Sequence, residues 1–579
     1  MSNSPAELIG SIRPDGIARI DATASATAGR IVAAFVGRPR WASQGGAATE
    51  ITATSLAEAF RTRGADFLGD LHGSFAVAIY DASTRRGVLA IDRMGVCQLA
   101  YVRLEDGTLA FATSIGALLK STPQSFPLNL QALFDFSFLH VIPAPDTVYT
   151  GVHKLPAATA LSIDGDNRST RRYWVPQFSH SAVNSESALG KELKASLQLA
   201  VRDCDPRTGT GSFLSGGIDS STVTGMLSGL LPGAPSFSIG FESAGFDEME
   251  YARIASAHFG SRAHEYYVTP ADIVTAIPLI ADAYDEPFAN SSAVPTYFCA
   301  RLARAHGVSR LLAGDGGDEL FGGNERYAKQ KVFEHYWRIP AALRKSVVDP
   351  IALRLPQSVW PLRKMRSYVE QARVRMPKRL HTWNFLYRHP AATVFEADFL
   401  AAVDTTHLFD NMQTLYDAAP TDDLVDRMLY FDWQLTLADN DLRKVNRMCQ
   451  LADIEVLYPM LDDRVVAVST QIPPQWKVRG QQLRWFYKRA MGDFLPRQII
   501  AKTKHGFGLP FGQWLKESKP LQGVVYASVA LLREQRIVRR DFLDTLIRDH
   551  RDGHAGFYGY MIWMLVTLGH WLDSRRLRI

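Results

Sequence analysis

Cysteine is scarce. Cys97, Cys204, Cys299 and Cys449 stand far apart in a chain of 579 residues, and no two form a CxxC. That excludes a disulfide framework and a zinc site built on paired thiolates. It points instead to buried thiols in a reducing cytosol. Long hydrophobic runs are missing as well. The most apolar late stretch, Tyr558–Trp571, contains Gly559, Gly569 and His570. It is shorter than the ~20 residues a spanning helix needs and reads as a buried terminal helix. The first residues, Met-Ser-Asn-Ser-Pro-Ala-Glu, carry neither the basic nor the apolar region of a signal peptide. A cytoplasmic protein without membrane insertion is expected. Charge of one sign is weak: net +5 and a pI near 8.8 do not argue for nucleic acid over this length, and they leave room for an acidic or peptide partner. No internal repeat or low-complexity segment is visible. What is present, 46% hydrophobic and 21% charged, is an ordinary globular composition with enough chain for roughly two to four domains.

The pattern changes once along the chain. The first part is dense in short apolar runs: Ile31–Val36, the stretch after the turn at Gly73, Val88–Ile91, Leu99–Val102 and Leu109–Ala112. Runs at this spacing predict a β-rich domain of layered sheets. Residues 178–188 are polar and Ser-rich and read as a linker, dividing a domain of 1–177 from one of 189–579. Beyond it a helix is expected near Ser187, with Leu189, Leu193, Leu197 and Val201 on one face. Short strands (Phe213–Leu214, Phe237–Phe241, Leu311–Ala313) then alternate with helices near 219–230, 247–259 and 295–306. That alternation implies a parallel α/β sheet with its ligand at the carboxyl ends of the strands. After about 330 the chain is mostly helical.

Two loops at those strand ends carry the chemistry. In Gly211–Leu230 an apolar run enters Ser215-Gly216-Gly217, then Asp219-Ser220-Ser221 opens a helix. Glycines allow close backbone approach, and free N–H groups, the helix dipole and small hydroxyls make a socket for phosphate. No Lys follows the glycines, so this is not a Walker A loop. Ala313–Gly323, Ala-Gly-Asp-Gly-Gly-Asp-Glu-Leu-Phe-Gly-Gly, sets three acids among five glycines after a strand. Asp219 and Asp318, one from each loop, are the natural pair for Mg²⁺ on a polyphosphate, which needs one or two carboxylates.

Ser215–Ser220 resembles the pyrophosphate loop of ATP pyrophosphatases. Together with Phe237–Phe241, Gly314–Gly323, Leu451–Asp462 and Lys502–Pro510 it resembles the asparagine synthetase family. Gly73-Ser74-Phe75-Ala76, Asp92-Arg93-Met94-Gly95 and Phe111-Ala112-Thr113-Ser114 resemble that family's glutaminase domain. The likeness implies an α/β protein: an N-terminal Ntn-type αββα glutaminase-like domain, then an ATP-pyrophosphatase-like parallel α/β domain with a helical extension. It implies ATP and Mg²⁺ as cofactors, with Ser215, Gly216, Gly217, Asp219 and Ser220 on pyrophosphate and metal. Leu214 and Ile239 should flank the adenosine, Gly314 should lie beside it, and Asp318 should be the second metal ligand. Lys504 matches a lysine that offsets phosphate charge during adenylation, with Lys502 as the alternative. Asp315 stands where asparagine synthetases carry Glu and β-lactam synthetases Tyr, facing the acyl acceptor; it either handles the amine's proton or is structural. Asp285-Glu286-Pro287 resembles a loop near the site, binding substrate or capping a turn.

The glutaminase likeness is eroded. Glutamine-using members expose a Cys after removal of the initiator Met; here position 2 is Ser2, and no Cys occurs before Cys97. The Asn-Gly-Glu glutamine-binding segment is also absent. No ammonia from glutamine is expected, so the amine must come with the substrate or as free ammonia. Relatives without a working glutaminase include β-lactam synthetases and lasso-peptide macrolactam cyclases, and Gly322–Tyr327 and the overall length look most like the latter. The expected reaction adenylates an Asp or Glu side chain of a precursor peptide, and the peptide's N-terminal amine then closes the ring. A leader-processing protease is an expected partner. A β-lactam-type small-molecule ligase, an ammonia-using asparagine synthetase and a non-catalytic relative are the alternatives.

Overall fold

A computed structural model describes residues 7–42, 51–180, 185–243, 245–503 and 508–578. The first domain is built on two antiparallel sheets. One contains, in order, Val152–Lys154, Ala100–Arg103, Leu109–Ala112, Ile9–Ile12 and Ala18–Asp21; the other runs Asn167–Arg172, Thr159–Asp164, Arg86–Ile91, Phe75–Asp81, Ile31–Gly37 and Ala24–Ala28. Strand Phe75–Asp81 shows why the sequence stacks them. It is apolar at nearly every position, and alternate residues take opposite faces. Ala76, Ala78 and Tyr80 pack against Leu109 and Phe111 of the other sheet, whereas Phe75, Val77 and Ile79 pack under Leu56, Ala57 and Phe60 of helix Ala53–Arg63. The far face of the five-stranded sheet, with Val102 and Ala110, meets Ile115, Leu118 and Leu133 of helices Ile115–Ser121 and Leu130–Leu139. The result is the expected αββα sandwich.

The second domain holds a five-stranded parallel sheet in the order Arg262–Val268, Pro235–Phe241, Thr210–Phe213, Arg310–Leu312, Glu455–Leu457. The chain lays its first strand in the middle and builds outward on one side. It then returns to place Arg310–Leu312 on the other. The switch point lies between Thr210–Phe213 and Arg310–Leu312, where a crevice opens at the strand ends. Helices Ile218–Leu230, Met249–Phe259 and Ala293–Ala305 lie close to the predicted positions. Two strands of this sheet are not visible in the sequence pattern. Arg262–Val268 is a polar edge strand, and Glu455–Leu457 is three residues long inside a helical stretch. The helix expected near Ser187 spans Glu186–Asp203, capped by Ser185, with Leu189, Leu193, Leu197 and Val201 buried. The apolar late run is helix Ala555–Ser574, buried along most of its length. No helix among the described residues is long and apolar enough to cross a membrane.

The two domains are joined by ion pairs and by a shared core. Glu286, fully buried, accepts from Lys154 Nζ at 2.7 Å and from Arg443 Nη2 at 2.6 Å. Arg93 pairs with Asp463 at 2.8 Å and Arg38 with Glu455 at 2.7 Å.

Candidate active site

The first loop leaves strand Thr210–Phe213 and turns into helix Ile218–Leu230. Gly216 has φ +70°, and a Cβ there would stand 2.5 Å from the backbone nitrogen of Ala252, so only glycine lets the loop pass that close to the neighbouring helix. Gly217 caps the helix without a side-chain hydrogen bond, which leaves the first N–H groups free to face the crevice. Ser215 Oγ and Ser220 Oγ lie 3.0 Å apart, and the Ser215 N–H donates to Ser220 Oγ at 3.2 Å. Leu214 is tied to the next strand, its N–H donating to Phe237 O at 2.8 Å and its carbonyl accepting from Ser238 Oγ at 2.6 Å.

The second loop follows Arg310–Leu312 and presses on the first. A Cβ on Gly314 would meet Ser220 N at 2.7 Å. This contact brings Asp318, at the start of helix Gly317–Phe321, beside Asp219. The side chain that joins the two carboxylates is Arg484. Its guanidinium grips Asp219 with two hydrogen bonds, one of them Nη2 to Oδ2 at 2.6 Å, and also bonds Asp318 Oδ1. Arg484 is 6% exposed and sits in the left-handed region at φ +52°. Two carboxylates from separate loops, the pair expected for Mg²⁺, thus converge on one guanidinium. Among the described residues no cluster of three or more His, Cys, Asp or Glu side chains is poised to hold a metal. A magnesium ion arriving with nucleotide needs no more than this pair plus phosphate oxygens.

Around these loops lies a cavity of about 1000 Å³. Leu214, Ser215, Gly217, Asp219, Ser220, Ile239, Gly314 and Asp318 all line it, so nearly every predicted nucleotide-site residue shares one space. Asp315 lines it too, further along, where segment Trp433–Asp441 takes the wider π-helical turn and continues as helix Leu442–Leu451. Trp433 Nε1 donates to Glu319 O at 2.8 Å and holds that segment against the second loop. Lys444 and Asp441, paired at 2.8 Å, face the cavity near Asp315. Burial pushes the Asp315 carboxyl up to about 6, with Lys444 pulling the other way. Burial, reinforced by Asp441 and Asp432, pushes Glu319 up to about 8. A neutral carboxylic acid, an ionisable carboxylate and an ammonium therefore share one wall.

Lys504 lies outside the described residues. Lys502 lines the cavity, but its ammonium is held by Glu248 at 2.9 Å, lies 3.4 Å from Gly216 O and sits over the Tyr251 ring. Asp285 and Glu286 do not line the cavity. Glu286 belongs to the buried cluster between the domains, and Asp285 pairs with Arg447 at 3.1 Å. Of the two readings of that loop, the structural one describes its place. Arg484, Asp441 and Lys444 are the residues sequence reasoning missed. Arg484 stands in an unremarkable Gln-Gln-Leu-Arg-Trp run and reaches the site only because the chain folds back.

Cys97 sits half-buried in a turn organised by Asp92, whose carboxylate accepts the N–H groups of Phe75, Met94, Val96 and Cys97. Burial, with that carboxylate adjacent, pushes the Cys97 thiol well up. It is therefore not primed as a nucleophile.

Comparison with known proteins agrees with the two-part fold. Residues 192–573 match the asparagine synthase family model, and residues 42–174 match a glutamine amidotransferase domain. A putative glutamine-hydrolysing asparagine synthetase of Mycobacterium bovis is 27% identical over 538 residues, covering 90% of this chain and 80% of that protein. Asparagine synthetase 1 of Bacillus subtilis is 25% identical, covering 83% and 74%. A putative asparagine synthetase of Methanocaldococcus jannaschii is 31% identical over 287 residues, covering 48% and 55%.

Proposed function

We propose, from the premise that this chain belongs to the asparagine synthetase family and is an ATP-dependent, AMP-forming ligase, that it closes a macrolactam in a precursor peptide. A side-chain carboxylate of the peptide attacks the α-phosphate of ATP and displaces pyrophosphate. The peptide's N-terminal amine then attacks the activated acyl carbon, expels AMP and loses a proton. Water exclusion matters, because hydrolysis would waste the activated acyl group.

The protein's part is alignment and charge. The free N–H groups at the start of helix Ile218–Leu230 and the hydroxyls of Ser215 and Ser220 receive the pyrophosphate oxygens. Asp219 and Asp318 would hold Mg²⁺, which would neutralise phosphate charge when bound. Arg484 moves from those carboxylates to the phosphates, and Lys504 is the proposed cation that offsets phosphate charge during adenylation. Asp315 accepts the amine's proton: a carboxyl brought up to about 6 is ionised at neutral pH yet basic enough to take a proton. Lys444, paired with Asp441, favours its ionised form, while the Asp441 carboxylate opposes it. Four free cysteines, three of them buried, fit a cytoplasmic setting.

The observation that carries the ligase reading is the convergence of Asp219 and Asp318 at the switch point of the sheet. The peptide reading rests on two further points. The cavity, at about 1000 Å³, reaches the upper end of small-molecule sites. The amidotransferase-like domain has no cysteine before Cys97, whose thiol is held protonated, so the amine arrives with the substrate or as free ammonia, and a peptide carries its own. A second reading is an asparagine synthetase, the name carried by glutamine-hydrolysing relatives that span most of the chain, here fed by ammonia because no cysteine precedes Cys97. One experiment separates them. Purified protein, ATP and Mg²⁺ are given either a processed precursor peptide or aspartate with ammonium. The peptide should lose the mass of one water, with AMP released in step. Asparagine formation without peptide turnover would favour the second reading, and turnover surviving both Asp219→Ala and Asp318→Ala would sink the site itself.

A further inference from the structure

Away from the cavity, three helical segments form a small cluster of their own: Glu325–Trp337, the continuous run from Ala341 to Leu353, and Trp360–Ala372. Tyr336, Ala352, Val369 and Ala372 are buried at its centre, with Phe333, Trp337, Val348 and Tyr368 packed around them. That core uses one side of each helix. On the second and third segments large apolar side chains also stand where solvent is expected. Leu343, Val347 and Ile351 recur at i, i+4 and i+8, and Val359, Trp360 and Met365 follow, each between 42% and 60% exposed. Six of the sixteen large apolar side chains exposed among the described residues therefore fall within residues 343–365. Scattered exposure is normal, but clustering marks an interaction surface.

The same segment concentrates positive charge. Residues 338–378 hold ten Lys or Arg and two acids, a net +8, against +5 for the whole chain, so the remainder of the protein is net acidic. Both acids are already engaged: Asp349 by Tyr336 and Arg373, Glu370 by Arg366. Exposed Lys345, Arg354, Arg363 and Lys364 meet no carboxylate among the described residues. Lys364 Nζ instead lies 4.0 Å over the Trp360 ring.

We propose that this surface docks on an anionic membrane, resting at the headgroup level without a spanning segment. Exposed Trp and aliphatic side chains interleaved with unpaired Lys and Arg suit the lipid–water boundary. There the rings and stems reach the acyl edge while the cations meet lipid phosphates. A second copy of the chain would set one +8 surface against another. An acidic peptide would need a cleft, and none of these side chains lines the active-site cavity or the smaller one at Arg40 and Trp174. Nucleic acid offers no partner for Leu343, Val347 and Ile351. The proposal is independent of which amine the enzyme uses.

The test is sedimentation of the full-length protein with vesicles of phosphatidylcholine alone or mixed with phosphatidylglycerol. Binding is expected only with phosphatidylglycerol, and is expected to fall at about 1 M salt, where the screening length shrinks to about 3 Å. Arg363→Gln with Lys364→Gln should weaken it about 25-fold, at about fivefold per charge. Trp360→Ala should weaken it further, with melting and ATP binding unchanged. No binding by the wild-type protein overturns the proposal, as does equal binding to neutral vesicles. Full-strength binding by the folded triple variant assigns the contact to another surface. Tighter binding to an acidic peptide or to single-stranded DNA than to the vesicles also refutes it.

Discussion

Replacing Arg484 by Met removes the cation that, among the described residues, joins the two loops, while keeping most of its packing volume. In the wild type, three charge-assisted hydrogen bonds tie this buried guanidinium to Asp219 and Asp318. Its loss leaves two like charges facing each other, 18% and 24% exposed, with solvent able to reach both. Removing one partner of a buried pair costs about 3–5 kcal/mol, and partial exposure puts this case near the lower bound, about 3 kcal/mol. Without ligand the variant should therefore melt several degrees below the wild type. The diagnostic part is the rescue. If the two carboxylates form the metal pair, Mg²⁺ in the variant no longer competes with a guanidinium for them. At a hundred times its dissociation constant, a ligand bound only by the folded state returns about 2.7 kcal/mol. Magnesium alone should then restore most of the lost stability in the variant and do little for the wild type, whereas ATP should bind the variant less tightly. Calorimetric melting with and without MgCl₂, with NaCl of equal ionic strength as control, gives the answer. A variant that melts low and stays low in magnesium refutes the idea that Asp219 and Asp318 take the metal together.

Other consequences follow from the same wall of the cavity. Asp315→Asn should lower kcat/KM by about 10²–10⁴-fold and erase an acidic limb near pH 6 in the pH–rate profile; an unchanged profile would return Asp315 to a structural role. Glu319 titrates near 8 when folded, above its ordinary value, so its contribution to stability is present below the ordinary carboxylate pKa and is lost as pH rises through 8. Glu319→Gln should accordingly gain stability over the wild type between pH 6 and 9 and match it near pH 4, as melting across that range would report. Gly314→Ala puts a methyl 2.7 Å from a backbone nitrogen that cannot yield alone, so the loops must part by about 0.7 Å to regain ordinary 3.4 Å contact. A cost of about 1–3 kcal/mol in stability and up to about 100-fold in turnover is expected, while a variant as stable and active as wild type would contradict the close approach.

Much of this was legible in the chain. The Ser-Gly-Gly-x-Asp-Ser string after an apolar run and before a helical face specifies a strand–turn–helix phosphate socket by local physics alone. The alternation of strands and helices specifies a parallel sheet, and with it the end of the sheet where ligands bind. The near-continuous burial of Phe75–Tyr80 likewise announces a strand covered on both faces. The readings that failed, or stayed open, depended on contacts remote in sequence. Glu455–Leu457 is a strand only because Arg310–Leu312 lies beside it, and a three-residue run carries no periodicity of its own. Asp285-Glu286 was open between site and scaffold until Lys154 and Arg443 closed on Glu286 from two domains.

The sequence by itself determined that two acidic loops, each with its own glycines, end parallel strands, because that information is local: turn chemistry, helix start and apolar period. It also determined that residues 1–96 hold no cysteine, since a missing residue needs no structure to be seen. Only the tertiary structure decided that Asp219 and Asp318, 99 positions apart in numbering, face one cation. It likewise supplied that cation from Arg484, and set Asp315 against Lys444 and Asp441. Such pairings arise from strand order and from the switch point it creates. Strand order is settled by how helices of very different lengths of intervening chain bury their apolar faces, a property no single stretch of sequence contains.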